Sequence, residues 1–153
     1  MLELLKGLGG SEYAWLIARI ATGLFFTTSG FFKLFNPGRH KVLTDTLKED
    51  RIPWTKGFQW IVPIAELVCG TCITLGLFTV PAALILIVDL LVAMAVDGYK
   101  RVNAFDPIDI ADWLDDWLYL SEITYILLLL LFVTGGPGIL NADSVIIPWL
   151  EGR

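Results

Sequence analysis

The chain has 153 residues, of which 56% are hydrophobic and only 18% are charged, with a formal net charge of −5. A soluble domain carries about 25% charged and 45–50% apolar residues, so this composition excludes an ordinary soluble domain. The acidic balance gives no reason to expect a nucleic-acid partner. Two cysteines are too few for the disulfide framework of a small secreted protein.

Four apolar segments are each long enough, or nearly so, to cross a hydrocarbon core of ~30 Å at ~1.5 Å per residue. We predict one integral membrane domain over residues 1–153, an all-α bundle of four transmembrane helices with spans at about 13–35, 58–78, 80–96 and 118–134. Because Asp89 interrupts the third segment, three spans plus one re-entrant segment are the alternative. Membrane lipid is therefore an expected partner of the chain.

The connections between these segments differ in length and character. The first opens with the turn signal Asn36-Pro37-Gly38, and its apolar side chains favour a short helix. The second is so short that spans two and three form an antiparallel hairpin. The third predicts an interfacial helix between spans three and four, because its apolar side chains share one helical face: Ile110, Trp113, Leu114 and Trp117.

Five ionisable residues lie within the predicted spans: Arg19, Lys33, Glu66, Asp89 and Glu122. Such residues cost several kcal/mol unless they are paired, so we expect them to face the interior of the bundle. Estimated depth along alternating helices predicts a cluster of Lys33, Glu66 and Glu122. It also predicts a buried charge pair of Arg19 with Asp89. Three acids then face two bases, and the excess carboxyl group is expected to take up a proton.

The helical period supports this arrangement of buried charge. One stripe of the first span contains Arg19, Thr22, Gly23, Phe26, Gly30 and Lys33. Tyr125 shares a face with Glu122 in the fourth span. We therefore expect a ligand site formed by Lys33, Glu66, Glu122 and Tyr125, suited to a quinone-like headgroup. The alternative is that these charges only hold the bundle together.

Cys69 and Cys72 form a C-x-x-C motif in the second span. Both thiols lie roughly on one helical face, so a dithiol–disulfide redox pair is one interpretation. No helix N-terminus is expected nearby to activate a thiolate, and small buried cysteines are common, so packing is the favoured interpretation.

No heme or metal site is expected, since His40 is the chain's only histidine and lies in the first connection. The sequence contains no Ser-His-Asp set, phosphate loop or dinucleotide fingerprint.

Three motifs occur in order along the chain. The first runs from Arg19 to Phe35 as R-x-x-x-G-x-x-x-x-x-S-G-x-x-K-L-F. The second places glycines after an acid, E-x-x-x-G-x-x-x-x-x-G, from Glu66 to Gly76, and the third is the tail G-P-G-x-x-x-x-D, from Gly136 to Asp143. With these motifs the chain resembles the DoxX family of small four-span membrane proteins.

The resemblance implies a four-helix membrane bundle with a redox association. Relatives include a subunit of thiosulfate:quinone oxidoreductase, and others work with oxidative-stress or disulfide-maturation systems. We accordingly expect a multi-pass protein of a bacterial inner membrane. Its orientation stays open: the basic long loops favour a cytoplasmic position for those loops, whereas relatives often have them outside the cytoplasm.

Two functional hypotheses follow. The first is a redox-associated membrane subunit that binds a quinone or another apolar ligand. The second is a non-catalytic accessory subunit of a larger respiratory or photosynthetic complex, which predicts other membrane subunits as partners. A small transporter or channel is the least favoured, because four spans leave little room for a gated path.

Overall fold

The computed structural model describes residues 11–50, 52–105, 108–138 and 141–150, and within these ranges every regular element is helical. The predicted all-α class is confirmed. The helices are α1 Ser11–Phe35, α2 Pro37–Glu49, α3 Thr55–Leu75, α4 Thr79–Ala93, α5 Tyr99–Ala104, α6 Ile110–Tyr119, α7 Ser121–Gly135 and α8 Asp143–Leu150. A π-helical turn, Met94–Gly98, joins α4 to α5.

Three helices of the described chain are long and apolar enough to cross a membrane: Glu12–Phe35, Thr55–Leu75 and Thr79–Ala104. A fourth span results if α6 and α7, which meet at an angle of 63°, cross the membrane together. Helix α7 alone has 15 residues. The predicted helix between spans three and four is present as α6, while its place at the membrane surface and the four-span bundle stay predictions.

The third long helix extends beyond its predicted end at residue 96. Helical structure continues through the π-helical turn and α5 to Ala104. Asp97 and Arg101, which we placed in a connection, lie one turn apart on this helix, with 3.0 Å between Arg101 Nε and Asp97 Oδ2. The apolar segment ends where charged residues begin, but backbone hydrogen bonding does not end with it.

The first connection forms α2, which packs against α1 and α3. Asn36 caps this helix, because its side-chain oxygen accepts hydrogen bonds from the backbone N–H groups of Gly38 and Arg39. Pro37 follows in the first turn, where its missing N–H costs no hydrogen bond. The Asn-Pro-Gly signal therefore both ends α1 and starts α2.

Glycines let α1 and α3 approach until their backbones touch. A Cβ atom on Gly30 would lie 2.5 Å from the backbone of Leu67 and of Pro63, and one on Gly70 would lie 2.5 Å from Thr27 N. Small residues at such contacts are typical of membrane helix pairs. The predicted stripe of α1 is confirmed, since five of its members are buried against this interface and the sixth is half-buried.

The bundle consists of two helix pairs. Helix α1 packs on α3, α4 packs on α7 and on α3, and α1 and α7 make few contacts with each other. The core where the pairs meet is fully buried and contains Phe26, Ile73, Leu86, Leu129 and Phe132.

The tail closes one end of the bundle. Arg19 Nη1 donates a hydrogen bond to the carbonyl oxygen of Pro137. Asp143 Oδ1 accepts one from the backbone N–H of Phe78, in the turn between α3 and α4, at 2.9 Å. The first turns of α1 and the start of α8 therefore lie at the same end. A bundle of four spans would likewise place both termini on one side, and Met1 and Arg153 themselves lie outside the described residues.

Replacing Gly30 with alanine should destabilise the bundle by about 1–3 kcal/mol, because the new methyl group would collide with backbone atoms that cannot move aside. Gly98→Ala is the matched control, since its Cβ would meet only side chains at 3.5 Å or more. That control should be neutral or stabilising, as alanine is the better helix former by about 1 kcal/mol. Unfolding free energies measured in mixed detergent micelles compare the two. Equal stability of the two variants would contradict the close packing of α1 on α3.

Candidate ligand-binding cavity

A cavity of about 310 Å3 lies between the α1–α3 pair and the α4–α7 pair. Most of its wall is apolar, formed by Phe25, Phe26, Leu43, Leu47, Ile52, Phe58, Val62, Leu90, Val92, Ala93 and Val96. Its polar members are Ser29, Lys33, Thr46, Glu66, Asp89, Asp97, Arg101, Ser121, Glu122 and Tyr125. All four predicted ligand residues therefore line a single cavity: Lys33, Glu66, Glu122 and Tyr125. That they bind a ligand stays a prediction.

Lys33 and Glu66 form an ion pair on one side of the cavity. Lys33 Nζ lies 2.6 Å from Glu66 Oε1, and the Ser29 hydroxyl donates to the other carboxylate oxygen at 3.2 Å. Ser29 and Lys33 are one turn apart on α1, and the close approach of α1 to α3 brings both to Glu66. The Glu66 side chain is only 7% exposed, so this pairing offsets the desolvation of a buried carboxylate.

Glu122 does not join this pair, although sequence analysis predicted a three-residue cluster. Its Oε1 instead lies 2.6 Å from Arg101 Nη2. Arg101 also contacts Asp97 and thus connects α5, the π-helical turn and α7. Sequence analysis missed Arg101 because it assigned this residue to a loop. The i, i+4 spacing of Asp97 and Arg101 was the available signal that the helix continues.

The structure does not bring the predicted pair of Arg19 and Asp89 together. Arg19 lies at the closed end of the bundle, where its guanidinium faces Asp143. It also packs against Gly76, since a Cβ atom there would lie 2.6 Å from Arg19 Nη1. Asp89 lies ten residues beyond Thr79, the first residue of α4, which corresponds to about 15 Å along the helix. It lines the cavity, within electrostatic reach of Glu66 and Lys33. The acid near Arg19 is Asp143, which belongs to the tail. The prediction used only the depth of each residue within its span, and this depth does not show that the tail folds back onto the bundle.

Three aromatic rings pack together in the cavity wall. The ring of Tyr125 stacks on that of Phe25 with centroids 4.1 Å apart and meets Phe26 edge-on at 5.5 Å. Phe25 is 40% exposed, so this part of the cavity wall borders the outer surface of the bundle.

The two cysteines are free thiols that do not line the cavity. Cys69 is buried in the hydrophobic core with Phe26 and Ile73, and Cys72 is half-buried against that core. Neither lines the cavity. Redox activity of this pair stays a prediction.

Metal-binding side chains are not grouped in the part of the chain that the structure describes: no set of three or more His, Cys, Asp or Glu residues there is arranged to hold a metal ion. His40 Nδ1 lies 3.1 Å from the carbonyl oxygen of Lys33, and its ring packs against Trp60. A carbonyl oxygen only accepts, so Nδ1 carries the proton in this contact.

The family model named DoxX matches residues 14–98, which is more than half of the chain. The chain belongs to the DoxX family. The match covers Lys33, Glu66 and Asp89 and ends before Arg101 and Glu122, so the DoxX segment supplies the Lys33–Glu66 ion pair and neither member of the Arg101–Glu122 pair. Family membership and the apolar helices together make this DoxX protein a membrane protein. No curated protein matches the chain, and no solved structure does.

Double-mutant cycles distinguish the observed ion pairs from the predicted three-residue cluster. One cycle combines Lys33→Met with Glu66→Gln, and a second combines Arg101→Met with Glu122→Gln. We expect each cycle to show a coupling energy of at least about 0.5 kcal/mol in detergent unfolding. Lys33→Met with Glu122→Gln should be nearly additive, because the two residues have different partners. A Lys33–Glu122 coupling as large as the other two would contradict the two separate pairs.

Proposed function

We propose that the cavity binds an apolar molecule with a polar ring, of the quinone class, and that the protein acts as the ligand-binding membrane subunit of a redox assembly. The observation that carries this proposal is that two ion pairs, Lys33–Glu66 and Arg101–Glu122, line one cavity whose remaining wall is apolar. Charged groups in apolar surroundings are costly, and replacing a buried ion pair with apolar residues is often neutral or stabilising. A gain in folding stability therefore does not explain well why two ion pairs face one cavity.

The size of the cavity suits a headgroup. Ligand sites for small molecules span about 300–1,000 Å3, and a cavity of about 310 Å3 lies at the lower limit of that range. A single substituted ring fits this volume, while a long isoprenoid tail does not. The tail would extend into lipid, past exposed wall residues such as Phe25 and Val92.

The redox part of the proposal rests on family membership. The chain is a DoxX protein, and the DoxX resemblance implies an association with redox systems. In this proposal the chain binds the ligand and a partner subunit exchanges electrons with it. The proposed location is a bacterial inner membrane, crossed several times.

Val62→Phe tests the cavity, because the larger ring would fill space that the ligand needs. We expect this variant to bind a short-tailed ubiquinone analogue at least about tenfold more weakly than the unaltered protein, by isothermal titration calorimetry in detergent. Val68→Phe is the matched control on the same helix, since Val68 faces outward and does not line the cavity. An absence of saturable binding, or equal weakening by both substitutions, would contradict the proposal.

A second candidate, an accessory subunit, is favoured by the surface of α6. Ile110, Leu114 and Tyr119 are exposed there beside three exposed aspartates, Asp109, Asp112 and Asp115, and α6 packs mainly on α5 and α7 among the described helices. Apolar and aromatic side chains within a charged rim are typical of protein interfaces.

For this second function, Ile110→Ser with Leu114→Ser should remove a stoichiometric subunit that co-purifies from native membranes in mild detergent. Val42→Ser, which changes an exposed apolar residue of α2, should leave that subunit bound. Retention of the subunit by the α6 variant would count against α6 as the docking surface.

A further inference from the structure

We infer that Asp89 is the hydrogen-bond acceptor that selects the ligand of the cavity, so that the site favours a ring bearing a hydroxyl donor, such as a hydroquinone or a phenol, over the corresponding quinone. This inference rests on the proposed function, because it names which chemical form of the ligand the same cavity prefers.

The cationic donors of the cavity and the Ser29 hydroxyl already contact a carboxylate of the protein, whereas the Tyr125 hydroxyl contacts none in the described ranges. Lys33 Nζ and the Ser29 hydroxyl both point to Glu66. Arg101 is held by Asp97 and Glu122. A quinone presents only carbonyl oxygens, which need donors. A quinone carbonyl that binds to Lys33 or Arg101 therefore shares a group that is already in a charge-assisted contact with a carboxylate, and such contacts are the strong ones.

Asp89 is the acid of the cavity that remains unengaged. Its carboxyl group forms no hydrogen bond and no ion pair with any residue in the described ranges, whereas Glu66, Asp97 and Glu122 each have a basic partner. It lies midway along the membrane helix Thr79–Ala104, next to Leu90 in the wall. An unsatisfied carboxyl group in such surroundings costs free energy, which a ligand hydrogen bond would recover.

The chemistry of a carboxyl group determines what it can bind. Ionised, both of its oxygens only accept, and protonated, it still keeps an accepting oxygen. A hydroxyl group on the ligand satisfies Asp89 in either state. A quinone carbonyl placed against the ionised group would oppose lone pair to lone pair, and only the protonated group could donate to it, so the preference for a hydroxyl group belongs to the ionised state of Asp89. The Tyr125 hydroxyl, which forms no hydrogen bond with a described residue, is the group available to a second ligand oxygen.

The simpler role for Asp89 would be to balance the charge of Lys33. That role is already filled by Glu66 at 2.6 Å, so a second acid within electrostatic reach is not needed for neutrality. Counted over the wall, four acids face two bases: Glu66, Asp89, Asp97 and Glu122 against Lys33 and Arg101. This surplus of acceptors matches a ligand that brings donors.

Trimethylhydroquinone, its dimethyl ether and trimethylquinone are the probes, titrated without oxygen into the full-length protein in detergent. Sites built to bind a hydroxyl group reject analogues that lack it by up to about 10⁴-fold, and we expect at least about tenfold weaker binding of the ether and of the quinone. This comparison needs no variant. Binding of the hydroquinone no tighter than its ether would overturn the inference.

Asp89→Asn locates the effect, because it preserves size while adding a donor and removing charge. We expect this variant to bind the quinone at least as well as before and to lose most of the preference for the hydroquinone. Asp89→Glu should retain part of the preference, and Asp45→Asn, an acid outside the cavity, should retain all of it. An unchanged preference in Asp89→Asn would overturn the role of Asp89.

The outcomes separate this inference from the proposed function. Tight binding of both redox forms that Val62→Phe abolishes would leave the cavity as a quinone site and overturn only the selection by Asp89. No saturable binding of any of the three probes would overturn both. Should Asp89→Asn fail to fold, as judged by helicity and micelle size, the comparison of hydroquinone with ether in the unaltered protein still decides the inference.

Discussion

The backbone contact between α1 and α3 is the constraint on which the rest of the structure depends. Gly30 and Gly70 bring the two helices so close that a single methyl group would collide with the opposite backbone. At that separation Lys33 reaches Glu66, and the one stripe of α1 that carries charge is covered. A bulkier interface would separate the lysine from the carboxylate inside the membrane, where neither finds water. The glycines and the charged residues of the first two motifs therefore depend on each other, because the ion pair forms only where the helices pack closely.

The second helix pair, α4 with α7, completes the cavity through a separate set of charges. Arg101 joins the end of the third long helix to Glu122, so the two pairs are each stabilised internally and leave a partly apolar space between them. Because ion pairs inside a protein are weak evidence for stability, the position of these two on the wall of one cavity is better explained by a ligand with a polar ring. Asp89 lies in the same wall without a partner among the described residues. Its carboxyl group therefore favours a ligand that carries a hydrogen-bond donor.

Sequence analysis predicted those features that hydropathy and helical period determine: the long helices, the buried stripe of α1, the helix at Ile110 and the proximity of Lys33 to Glu66. It failed where a prediction depended on the exact end of a helix or on the path of the tail. Arg101 was assigned to a loop because the apolar segment ended before the helix did. Arg19 was paired with Asp89 because nothing in the period indicates that Asp143 returns to the same end of the bundle.

The central claim is that a quinone-class ring enters the space between the two helix pairs, and photoaffinity labelling tests it most directly. The protein would be reconstituted in lipid vesicles with a short-tailed quinone that carries a diazirine on its ring, irradiated, and mapped by mass spectrometry. The account predicts labels on wall residues such as Leu47, Val62 and Val92, lost when an excess of unlabelled quinone is present. Labels confined to outward-facing residues such as Val68 and Ile85, or undiminished by competitor, would contradict it.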